Sequence, residues 1–140
     1  MASFIVVDGM SVKIEPMFAH RTVRFAGPAV TRGTGHATID SRKVCTVADA
    51  LGWQWPATCD ITGFSTGTGF VRIQALAPEQ QDTHDTSGGP LVMVGQRFVA
   101  IYEPLVSATS ASGTSDPNVP TTGAGFFEVG QRRVSVKRAL

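Results

Sequence analysis

Apolar residues fall in short runs that alternate with polar ones and are bounded by glycine, proline and aspartate. A period of two over a few residues is the pattern of a strand with one buried face. It predicts strands over 4–7, 11–14, 22–25, 35–39, 43–47, 69–75, 90–93, 97–103, 125–128 and 132–137. Helical signal is confined to two places. Thr46 can cap a short turn over 46–51, and Pro78 suits a first helical position ahead of Glu79-Gln80-Gln81 over 77–81. Residues 107–124, rich in Ser, Thr, Gly and Pro, read as a long irregular loop before a last hairpin over 125–140.

One hairpin pattern recurs. It is clearest as Met93-Val94-Gly95-Gln96-Arg97-Phe98-Val99 and Glu128-Val129-Gly130-Gln131-Arg132-Arg133-Val134, with looser copies around Asp8-Gly9 and Asp40-Ser41. Glycine accepts the positive φ of a tight turn, which makes Asp40-Ser41 the weakest of the four. Gly33-Thr34-Gly35 returns as Gly67-Thr68-Gly69 ahead of the run Phe70-Val71-Arg72-Ile73. The expectation is an all-β fold, a single small domain over 1–140 built of repeated hairpins with at most one or two short helical turns.

Composition narrows the function. With 140 residues and 42% hydrophobic content the chain can bury a core. Twelve basic against eleven acidic residues give no global field for nucleic acid or an anionic membrane. The basic residues gathered near the end, Arg132, Arg133, Lys137 and Arg138, suit a solvated strand face. No basic n-region with a following apolar stretch marks a secretory signal, and no apolar run is long enough to span a bilayer. Two cysteines are too few for a disulfide framework, although a Cys45–Cys59 bridge stays open for an oxidising space.

Three chemistries compete. Asp85-Thr86-Ser87-Gly88-Gly89-Pro90-Leu91-Val92 resembles the nucleophile segment of chymotrypsin-like serine proteases, but a threonine separates Asp85 from Ser87, and none of His20, His36 and His84 has that family's context. Ser-Gly-Gly-Pro reads more simply as a turn opening a strand. Cys45, Cys59 and the histidines are the residue types of a tetrahedral zinc site, without a diagnostic spacing; a buried free cysteine and surface histidines are the simpler explanation. Trp53 and Trp55 suit core packing, or else the stacking face of a β-sandwich carbohydrate-binding or adhesion module. Gly67-Thr68-Gly69 leads into a strand, not a helix N-terminus, so it is no phosphate loop.

Four segments in order carry a family resemblance: Val23-Arg24-Phe25-Ala26-Gly27-Pro28-Ala29-Val30, Lys43-Val44-Cys45-Thr46-Val47-Ala48-Asp49, Thr66-Gly67-Thr68-Gly69-Phe70-Val71-Arg72-Ile73 and Ser87-Gly88-Gly89-Pro90-Leu91-Val92-Met93-Val94-Gly95. Together they resemble the PAAR-like spike-tip proteins of contractile injection systems, from about Val23 to about Glu103. Glu128 to Val136 lies outside that stretch, as an added strand pair. The Pro-Ala-Ala-Arg sequence itself is absent, and Ala48-Asp49 stands where Gly-Asp is expected. The resemblance implies a PAAR-like cone with no catalytic residues. Such a tip caps a trimeric β-helical (VgrG-like) spike, one copy per trimer, sharpens it for transient contact with a target envelope, and helps attach effector cargo. It also implies one structural zinc or iron ion, for which His36, Cys45 and Cys59 are the nearest residues. Assembly would take place in the cytoplasm, with the injection particle or phage tail carrying its tip outside.

Overall fold

The computed structural model describes residues 2–86, 89–128 and 135–137. Strands β1 (Ala2–Phe4), β2 (Val12–Ile14), β3 (Met17–Phe18), β4 (Arg21–Phe25), β5 (Thr38–Ile39) and β6 (Arg42–Lys43) precede the short helix α1 (Val47–Leu51). Then β7 (Trp55–Asp60) and β8 (Gly67–Ala75) lead through a 3-10 turn at Pro78–Gln80 to β9 (Gln81–Thr86) and β10 (Pro90–Val92). The chain ends in β11 (Phe98–Val106), β12 (Thr121–Phe127) and β13 (Ser135–Lys137). The all-β expectation holds, and both helical turns form where Thr46 and Pro78 place them.

The largest sheet runs β2-β12-β11-β8-β7-β4-β3, antiparallel at each pairing. Its two end strands, β2 and β3, are separated in sequence by Glu15-Pro16 alone. The Glu15 N–H donates to the Ala124 carbonyl (2.8 Å), and the Val23 N–H donates to the Pro16 carbonyl (2.8 Å). One segment, 12–18, thus serves β12 with its first half and β4 with its second, and the sheet curls into a half-barrel. Proline cannot donate to a ladder, which suits Pro16 to the point where the strand changes partner.

Alternation selects the interior. Trp55, Ala57 and Cys59 on β7, Val71 and Ile73 on β8, and Phe98, Ala100 and Tyr102 on β11 are buried. Glycines in the wall make room for rings: a Cβ at Gly69 would lie 2.9 Å from the Tyr102 ring, and one at Gly123 would lie 2.7 Å from Phe18. Trp53 and Trp55 are core residues, each 7% exposed, with ring centroids 5.8 Å apart. Their indole N–H groups donate to the carbonyls of Arg32 and Val30, so neither presents the free face a sugar would stack upon.

The repeats fold differently from expectation. Gly9 and Gly95 do adopt positive φ, +82° and +53°. Yet the arms around them do not pair with each other: β10 joins β9, β11 joins β8 and β12, and β2 joins β12. Among the copies within the described residues, the one true two-residue hairpin is Asp40-Ser41, the copy with the poorest turn chemistry. Its arms β5 and β6 pair directly, and both turn residues sit at positive φ, 52° and 64°. The expected hairpin over 125–140 is also revised, because β12 lies between β11 and β2 while β13 pairs with β1. The Val129-Gly130 turn itself lies outside the described residues. The irregular loop is shorter than predicted, ending where β12 begins at Thr121.

Candidate partner-binding site

Beside the half-barrel, three stretches of chain close on one another. The Val6 N–H donates to the Val92 carbonyl (2.9 Å), the Cys45 N–H to Val6 (2.9 Å) and the Val92 N–H to Cys45 (3.0 Å). Flanking this cycle are three antiparallel bridges, Ile5 with Met93, Val7 with Val44, and Thr46 with Leu91. Each stretch gives its first half to one neighbour and its second half to the other. Three strands related in this way form a triangle with pseudo-threefold symmetry.

Local sequence explains why these stretches sit there. Ile5-Val6-Val7 and Leu91-Val92-Met93 are unbroken apolar runs, the signature of strands covered on both faces. All nine residues from Ile5 to Val7, Val44 to Thr46 and Leu91 to Met93 are buried. Two of the strands end in a glycine three residues past their centre, Gly9 and Gly95. The third ends instead in a helix cap. Thr46 accepts from the Asp49 N–H (3.2 Å), and Asp49 accepts from the Thr46 N–H (3.0 Å). Burial pushes the Asp49 carboxyl up, but hydrogen bonds from Thr34 and Thr46 outweigh it and hold the group below its ordinary value.

At the centre of the third strand, burial pushes the Cys45 thiol up to about 12, against a hydrogen bond with Thr31 that works the other way. Cys45 therefore packs as a small apolar residue. Cys59 is also a free, buried thiol, but it belongs to β7 in the half-barrel, where it lies opposite Val23 and Gly67. His36 is exposed in the approach to β5. The structure does not bring these three together, and among the described residues no three His, Cys, Asp or Glu side chains gather in a way that could hold a metal ion. This donor set does not fit the zinc or iron that the resemblance implies.

Ser87 lies outside the described residues. Thr86 and Pro90, on either side of it, pair with each other in the β9–β10 ladder. A histidine does meet a carboxylate elsewhere: His20 Nε2 lies 2.7 Å from Asp116 Oδ1, and Arg21 Nε donates to Asp116 Oδ2 (2.8 Å). Sequence reading missed this pair, since 95 residues separate Arg21 from Asp116.

Half-barrel and triangle together define a small all-β protein stiffened by closure. The chain belongs to a family described as contractile injection system spike tip protein, whose profile matches residues 1–137. That span exceeds the Val23 to Glu103 stretch of the resemblance, so β1 and β13 are family structure and not additions. No curated protein matches the chain.

Proposed function

We propose that this protein caps a trimeric β-helical spike, one copy per trimer, with the pseudo-threefold axis of the strand triangle set on the threefold axis of the spike. The observation that carries this reading is the closed cycle of hydrogen bonds through Val6, Cys45 and Val92. A single chain that meets the end of a trimer must offer similar edges to three equivalent subunits, and a pseudo-symmetric centre supplies them. Spike strands would also cover edges that otherwise invite aggregation. In this role the tip sharpens the spike, attaches cargo and performs no catalysis. It assembles in the cytoplasm and leaves with the particle.

The decisive experiment is co-expression with the spike protein. A complex holding one tip per three spike chains is expected, and a stable isolated tip that never joins a spike would sink the proposal. An active-serine probe supplies an independent check on the absence of catalysis: covalent labelling of Ser87 would overturn the structural reading in favour of hydrolysis.

A further inference from the structure

Residues 107–120 lie over the end of the half-barrel where Arg21 and Tyr102 sit, and polar contacts hold them there. Within the segment only Ala108 and Asp116 are buried. Arg21, whose side chain is 0% exposed, donates through Nε to Asp116 Oδ2 (2.8 Å). Its Nη1 donates to the Val119 carbonyl (2.7 Å) and to Thr121 Oγ1 (3.1 Å), and its Nη2 to the Pro117 carbonyl (2.8 Å). Every one of these acceptors belongs to the segment or to its exit into β12. The guanidinium also stands 5.4 Å from the centre of the Tyr102 ring. From the solvent side His20, 52% exposed, holds the other oxygen of Asp116.

The segment also bonds to itself, and it meets the body again at a bridge between Ser110 and Phe64. Asp116 N–H donates to the Ala108 carbonyl (2.8 Å), Ser110 N–H to Thr114 (2.8 Å) and Gly113 N–H to Ser110 (3.0 Å). A second tie to the body joins Thr109 and Ser65, main chain to main chain and main chain to hydroxyl.

We propose that 107–120 is a latched strap, which opens as one unit when the Asp116–Arg21 link is broken and leaves the barrel ladders standing. The balance of forces is one-sided. A buried guanidinium without its carboxylate is strongly unfavourable, and opening the strap relieves that by admitting water to Arg21. Little apolar burial opposes the opening, because Ala108 is the one buried apolar residue the strap contributes. The β11–β8 and β11–β12 pairings are main-chain ladders that do not pass through the strap. Segments with few apolar contacts open below the global unfolding free energy.

Hydrogen exchange on the full chain tests this. In Asp116→Asn, the amides of Ser110, Gly113 and residue 116 should exchange at least about tenfold faster while those of β8 and β11 stay within about twofold of the parent. Acceleration shared by strap and barrel would overturn the latch, because the pair would then be a core element; no acceleration at all would overturn it as well. If Asp116→Asn does not accumulate folded, Arg21→Lys, which keeps the charge but removes the guanidinium contacts to Asp116 and the strap carbonyls, is read in the same way. Strap-only acceleration supports the latch, and shared or absent acceleration refutes it.

Discussion

The triangle and the half-barrel are both β, yet they hold by different means. Strands of the half-barrel run as long as nine residues and pair along ladders on either side, so no single hydrogen bond decides the sheet. Stretches of the triangle meet through isolated bridges, and stability there comes from cyclic closure around nine buried residues. A long ladder tolerates local damage but not a bulky atom in its wall. A closed cycle tolerates neither, since losing one stretch opens the ring and leaves each of the other two with one partner instead of two. The half-barrel therefore supplies bulk stiffness, and the triangle supplies the pseudo-symmetric feature on which the proposed threefold docking rests.

Substitutions can break this contrast in order of effect. Gly69→Val should be the most damaging, costing about 3 kcal/mol or more in denaturant unfolding, because the new side chain meets the Tyr102 ring and the Glu103 main chain. Val92→Ala in the triangle and Val71→Ala in the barrel each remove a fully buried side chain and should cost about 2 kcal/mol. Matched in stability, they should differ in spike capture, with Val92→Ala retaining less. Equal capture would mean that the triangle is not the partner-facing element.

Acid should separate the strap from both regions. Burial pushes the Asp116 carboxyl up, but hydrogen bonds from His20 and Arg21 together with their charge outweigh it, leaving the group below its ordinary 3.8. A carboxyl lowered in the folded state contributes stability that is complete above the unfolded value and lost as pH falls through the folded one. Strap protection against protease should therefore decline as pH falls below about 4, ahead of the triangle.

Two smaller effects sharpen the picture. Replacing Asp40-Ser41 by Asn-Gly should raise stability by about 0.5–1 kcal/mol, because both positions already hold the positive φ that these residues prefer. A β5–β6 turn that gains nothing would show that its neighbours, not its backbone, set the cost. Cys45 should resist alkylation in the native protein at pH 8, since its thiol is buried and raised to about 12. Labelling at a rate ordinary for an exposed thiol would show that the triangle opens readily.

Periodicity also shows where sequence reading stopped. Alternation does not predict β7, because Pro56 and the neighbouring tryptophans obscure its pattern, yet Trp55, Ala57 and Cys59 turn inward with a period of two. The β9 sequence QDTHDT carries no apolar face at all, and its pairing with β10 defines it as a strand. Glycine marks the turns at Gly9 and Gly95, but the similarity around those turns does not correspond to hairpin pairing. Those residues record a real repeat, but it is a repeat of triangle strands: Val6 and Val92 occupy equivalent places, each three residues before its glycine.

Residue order alone settled the β class, the two helical turns and the positive φ at Gly9 and Gly95, since each follows from alternation, capping or backbone freedom within a few residues. Tertiary structure decided which strand lies beside which, how the cycle through Val6, Cys45 and Val92 closes, and that Arg21 finds Asp116. Alternation tells a strand which face to bury and is silent about its neighbour. That choice rests on contacts between residues tens of positions apart, where many pairings would satisfy the same pattern and only the packed whole selects one.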